Sequence, residues 1–457
     1  TIAGTVSTAS SGQLGLTTSK SATLNLAGAQ GTTTSLNNLS SQGLSITDNG
    51  DAAISLTGTT DAGSGNVSIT ADTLSIAGEV KGNQFELTGS GNTLHLADDI
   101  QMASDISIND SIRIDGDVTL TSGGNIVLGH DGENPPFYLA SHDEGAPGSL
   151  TLALTGGGDV DFYSAIGAGS GTSPNTGLLQ NLTVTGAGAV DFHETLDLSD
   201  ALSIDASGNL TFHQALTLSA DLNLNTSGDI HFKGGVTLEN GASLTITDAD
   251  DVRFDNSVVL SGQSAGVAGA LDITANRILG GDGSADLNLQ LNGGAASLNA
   301  AVDAQGLKVS GAAAITLGDS VSVTNDVVLE TDSLQIDAGI SGNGNLEIKA
   351  DTASRDIQLG GSAAADNTTL TIDQAELDLI STFSQLSVGS TAANNKVTLG
   401  VADGAAAVLP VSTTVYGSQL EVIAIDTAAG IDLGLESTST IELGDLSLGG
   451  DLSVSSN

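Results

Sequence analysis

The chain has no cysteine and no tryptophan, one methionine and five prolines in 457 residues. Without cysteine there is no disulfide framework, no thiol nucleophile and no thiolate metal site. The absence suits export through an oxidising compartment, where a stray thiol is a liability. Aromatic residues make up 2% of the chain, too few for a large aromatic core, so a narrow aliphatic one is expected. Three of the prolines, Pro135, Pro136 and Pro147, fall in one segment. Long stretches elsewhere therefore keep every backbone N–H for a ladder. Basic residues are scarce as well, ten Lys and Arg against 54 Asp and Glu, a formal net charge of −44. That balance argues against nucleic acid and anionic membrane as partners and makes divalent cations, calcium above all, the expected counterions. No apolar run approaches the roughly 18 residues of a membrane span, so none is expected here.

What is present is repetition. Ala189-Val190-Asp191-Phe192-His193 recurs as Asn209-Leu210-Thr211-Phe212-His213, as Asp229-Ile230-His231-Phe232-Lys233 and as Asp251-Val252-Arg253-Phe254-Asp255, the phenylalanines 20, 20 and 22 residues apart. Between them lie triplets with apolar ends and a polar middle, such as Leu196-Asp197-Leu198, Leu202-Ser203-Ile204, Leu216-Thr217-Leu218 and Leu222-Asn223-Leu224. A triplet of that kind is a short strand with one wet and one buried face. Self-similarity at such a period signals a solenoid. The fold expected is all-β, a parallel β-helix with three short strands per coil of about 20 residues, forming a single rod over 1–457. About 20 coils at the strand spacing of about 4.8 Å would give roughly 100 Å of axis. Glycine, 60 residues, and aspartate, 42 of the 54 acids, suit the turns between strands.

Three segments break the rhythm and are expected as corner insertions: 129–148, rich in Pro, His and acids, and the small-residue stretches 167–177 and 261–270. Residues 400–430 are the least repetitive and are a candidate junction. The chain begins at Thr1 without methionine and ends in pattern at Leu452-Ser453-Val454, with no polar cap visible. It is expected to be a segment of something longer, or a subunit that stacks end to end.

Runs such as GNLTFHQALTLSADLNLNTSGDIHFKGGVTLENGASLTI resemble the rod regions of filamentous-haemagglutinin-type adhesins and other large bacterial surface proteins exported by two-partner or autotransporter routes. The resemblance is one of repeat grammar, strongest over 150–275. It implies a right-handed β-helical rod on a Gram-negative cell surface, acting in adhesion or as a structural fibre.

Candidate sites follow from residue type and spacing. In 129–148, His130-Asp131 with Glu133 and His142-Asp143 with Glu144 pair imidazole with carboxylate twice on one loop, a donor set for zinc or another divalent cation; a solvated corner loop is the plainer alternative. Phe137 and Tyr138 either tuck against the rod or offer a sugar-stacking surface. Asp248, Asp250 and Asp251 cluster at one corner and suit calcium. Gly280-Gly281-Asp282-Gly283-Ser284-Ala285-Asp286 is similar to the glycine-aspartate turn of calcium β-rolls, with its aspartate one place late. His193 and His213 should stack on the outer face, but their column continues as Lys233 and Asp255, which is not a ligand array. The basic residues are scattered singly, and no nucleophile motif or phosphate loop is evident. The function expected is therefore a non-catalytic structural and adhesive rod, extracellular, with other surface proteins, glycans or copies of itself end to end as partners. The alternatives are a self-assembling filament or sheath subunit and a polysaccharide-degrading β-helix enzyme.

Overall fold

A computed structural model describes residues 13–26, 33–48, 53–130, 137–142, 146–167, 177–260, 270–281, 283, 285–361, 368–401 and 406–456. They form a parallel β-solenoid of about 19 coils with about 20 residues per turn. The contacts divide it into two compact units, Thr1–Gly234 and Gly235–Asn457. Among the described residues the one α-helix is the four-residue Gln374–Leu377, and no helix is long and apolar enough to cross a membrane.

The first unit shows the coil plan. One side stacks Ile106–Asn109, Ile126–Leu128, Val160–Phe162, Val190–Phe192, Leu210–Phe212 and Ile230–Phe232, all parallel and in register. A second stacks Ile112–Ile114, Tyr138–Ser141 and Ala165–Ile166, continued by single bridges from Ile166 to Leu196 and Leu196 to Leu216. The third stacks Val118–Ser122, Leu150–Leu154, Leu182–Ala187, Leu202–Ala206 and Leu222–Thr226. Three short strands per coil is thus the arrangement the triplets predict, with the apolar ends buried and the middles outward.

Register places each residue over its counterpart. Phe162, Phe192, Phe212 and Phe232 form a buried column with ring centroids 4.6, 4.9 and 5.0 Å apart and planes within 5° of parallel. Phe162 belongs to this column although 30 residues separate it from Phe192. Phe254, in the second unit, is buried as well. The corners carry a second column. The side-chain oxygen of Asp105 accepts the backbone N–H of Asn125 at 2.8 Å, Asn125 that of Asp159 at 2.9 Å, and Asp159 that of Ala189 at 2.8 Å. Asn209 does the same for Asp229 at 3.0 Å, and at another corner Asn181 does so for Ala201 at 3.0 Å. The second unit repeats the device, Asp326 to Asn345 and Asp432 to Asp451, each at 2.7 Å. A short acceptor at the corner thus satisfies a backbone N–H of the next coil.

In the second unit several strands run through a corner. Leu244–Phe254 pairs with Leu271–Gly280, and the register slips between Ile246 and Ala249, where Asp248 adopts φ 61°. Aspartate is among the few non-glycine residues that take this left-handed conformation at modest cost. Within 129–148, Tyr138–Ser141 is a strand of the stack rather than part of a bulge; residues 131–136 and 143–145 lie outside the described set, as do 168–176 and 261–269. Residues 400–430 hold Ala407–Leu409 and Thr413–Thr427, the latter in register with Leu433–Ser447 over most of its length.

Two substitutions test this plan. Phe212→Ala should cost about 3 to 5 kcal/mol by emptying one rung of the column. Asp159→Ala should cost about 1 kcal/mol more than Asp159→Asn, because both remove the same charge and only asparagine keeps an acceptor for Ala189. Urea titrations followed by circular dichroism give both numbers; equal stability of the two Asp159 variants would show that the corner bond contributes nothing.

Candidate functional site

The sequence-predicted residues fall in two places, the segment 129–148 and the strand Leu244–Phe254. Asp131, Glu133, Asp143 and Glu144 lie outside the described residues. His130 is exposed, and His142 meets His95 edge-on with centroids 4.9 Å apart. Arg113, paired in register with His95, sits with its guanidinium 5.9 Å from the ring centroid of Tyr138. Tyr138 tucks against the stack, its hydroxyl 3.1 Å from Thr93 Oγ1. The patch gathers cation-forming side chains. Burial lowers the His95 pKa, and His142 and Arg113 push it the same way.

Asp248, Asp250 and Asp251 share a strand but not a centre. Asp251 receives Arg277 through Nε at 2.9 Å and through Nη2. Asp250 accepts from Asn276 Nδ2 at 2.6 Å, and Asp248 is the corner residue described above. Among the described residues no three His, Asp or Glu gather in a way that could hold a metal ion. In the stretch 280–286, Gly283 N–H returns to Gly280 O at 3.0 Å and Gly281 and Gly283 have positive φ, a tight turn; Asp282 and Ser284 lie outside the described residues.

The most organised outward feature is a column of rings in the first unit. Tyr163, His193 and His213 stack with centroids 4.2 and 4.7 Å apart. Lys233 closes the column, Nζ lying 3.2 Å from His213 Nδ1. An ammonium only donates, so Nδ1 accepts and the proton of neutral His213 is on Nε2, which faces Asp191 Oδ1 at 3.5 Å. That tautomer engages both ring nitrogens, Nδ1 with Lys233 and Nε2 toward Asp191. His193 Nε2 stands 3.6 Å from Asp161 in the same way. Burial, then Lys233 and His193, lower the His213 pKa, while burial raises that of Asp161. The column is a set of stacked rings flanked by carboxylates. Sequence reading found His193 and His213 but missed Tyr163, because the longer coil before Phe192 hides the period.

One buried ionisable group was not anticipated. Asp110, 1% exposed, turns the corner between Ile106–Asn109 and Ile112–Ile114, packed so closely over Gly89 that a Cβ there would collide with its carboxyl. Its Oδ1 accepts from Ser111 N–H at 2.7 Å. Burial pushes its pKa up to about 6, the Ser111 N–H opposes the shift, and Asp72 adds to it.

No protein-family model matches this chain, and neither does any curated protein or solved structure.

Because the folded pKa of Asp110 lies above the ordinary aspartate value of 3.8, the folded state binds its proton more tightly than the unfolded chain. The stabilisation from that proton is complete below about pH 4 and is lost as pH rises through about 6. Asp110→Asn keeps the acceptor for Ser111 and removes the charge. It should therefore stabilise the protein by about 1 to 3 kcal/mol at about pH 8 and have little effect near pH 4. Denaturant titrations at both pH values decide; the same difference at each would mean that Asp110 is not a buried titrating group.

Proposed function

We propose that this chain is a non-catalytic structural and adhesive segment of a secreted bacterial surface protein of the filamentous-haemagglutinin type, displayed outside a Gram-negative cell. The observation that carries the reading is how the repeating residues are used. Apolar columns fill the interior, corner aspartates and asparagines bind the next coil's N–H groups, and strand pairs such as Val190–Phe192 are bonded on both sides. Such a stack resists extension, because no coil separates without breaking a ladder of parallel backbone bonds and a set of buried columns at once. An attachment protein uses that resistance to present its surface at a distance and under load.

Force and binding test the two halves of the reading. Pulled from its ends, the chain should unravel coil by coil, each step of about 20 residues releasing roughly 70 Å of contour. Beads coated with the chain should hold epithelial or bacterial cells better than beads bearing an unrelated acidic protein of matched charge. Smooth extension without steps would remove the mechanical role, and equal retention on the two bead types would remove the adhesive one.

A further inference from the structure

The columns of the second unit border a large groove. In the second unit, register aligns Gln385, Ser412, Asp432 and Asp451 at a corner, and Ser387, Thr414, Gly434 and Ser453 one outward position further along the strands. These two polar columns run across four successive coils. The second is interrupted by Gly434, whose missing side chain would stand 2.9 Å from Thr414 Oγ1. Around it lies a groove of about 730 Å³, within the range of ligand sites, roughly 300 to 1,000 Å³. A smaller one of about 210 Å³ opens where Gly306 interrupts the same corner column between Asp286 and Asp326.

We propose that the groove centred on Gly434 binds a neutral, extended oligosaccharide lying along the stack of coils. This rests on the adhesive reading above and gives it a ligand class. Three features specify the chemistry. The side-chain polar groups are carboxylates, hydroxyls and one primary amide, the set that pairs with sugar hydroxyls, and no Lys, Arg or His lines the groove. An anionic sugar would therefore meet Asp432 and Asp451 without a cation to offset them. The groups are also held in place: Asp432 Oδ1 accepts from Asp451 N–H at 2.7 Å, Ser412 Oγ from Asp432 N–H at 3.1 Å, and Thr414 Oγ1 from Gln385 Nε2 at 2.6 Å. Groups already ordered lose little entropy on binding. Finally, polar groups recur at the strand spacing of about 4.8 Å along these columns, so an extended chain lying along the stack meets a hydrogen-bonding partner at each coil. The exposed Leu452 supplies an apolar contact for the sugar's C–H face.

The test uses the full chain with cellohexaose, xylohexaose, mannohexaose and laminarihexaose as neutral probes and hexagalacturonate as the acidic one. Calorimetry and amide chemical shifts should show at least one neutral probe binding, with shifts at residues 385, 412–414, 432–434 and 451–453, and no binding of hexagalacturonate. Gly434→Leu fills the groove at a strand position without requiring an unusual backbone, and should weaken binding at least tenfold. If that variant does not fold, Gln385→Ala, which removes only an outward side chain, should weaken binding measurably. Failure of every neutral probe to bind, equal binding of hexagalacturonate, or unchanged affinity in a folded variant would overturn the proposal. Cell retention measured alongside separates the two ideas: beads that hold cells although no neutral probe binds leave the adhesive role standing and remove the groove. Probe binding without cell retention does the reverse.

Discussion

Everything in this protein follows from parallel, in-register pairing at a single spacing of about 4.8 Å, which sets every side chain above a side chain in the same position of the next coil. Like over like is favourable for Phe192 and Phe212, whose rings stack nearly parallel at 4.9 Å. It is unfavourable for carboxylates, and the chain carries 54 of them. Much of the answer lies at the corners. A corner aspartate such as Asp159 turns its oxygen to the N–H of the next coil, and asparagine alternates with it in the column, so that charge is diluted while the acceptor is kept. Composition that looks like a cation-binding surface is in part a hydrogen-bonding ladder.

The few basic residues obey the same constraint. Arg277 reaches Asp251, its register partner on the neighbouring strand. Lys349 approaches its register partner Glu330, and Lys396 reaches Glu421 on the strand it pairs with. Arg277, Lys349 and Lys396 thus contact carboxylates on neighbouring coils, whereas Lys81 and Arg253 pair within their own coil, with Glu79 and Asp255. At such exposed positions each pair contributes little to stability. Their larger effect is to break up columns of like charge.

What was legible in the sequence was whatever depends on period alone. The triplets placed the strands, and Phe192, Phe212 and Phe232 placed the column, because both signals are sums over many residues. Phe162 and Tyr163 were hidden by a coil of unequal length, and Tyr138–Ser141 by the prolines beside it, although its alternation fits the ladder. Asp248 shows a different limit. It turns the chain at φ 61°, a backbone conformation that residue type alone does not reveal. The His193–His213 pairing could be read from spacing, but the neutral tautomer of His213 depends on where the Lys233 ammonium settles, a matter of side-chain rotamers.

A strictly periodic surface offers the same contacts at every coil, so it has no means of selecting one place for a ligand. Selectivity has to arise where the period fails. Corner columns closed by aspartate or asparagine present an even polar ridge, and a residue without a side chain opens that ridge without disturbing the backbone ladder beneath it. Gly306 is such an opening in the corner column and Gly434 one in the outward column beside it, each next to ordered polar groups. Both interruptions leave the register of their strands intact. Stacking and recognition therefore draw on different residues, and a solenoid of this kind can change what it binds by substituting an outward position while its core columns stay fixed.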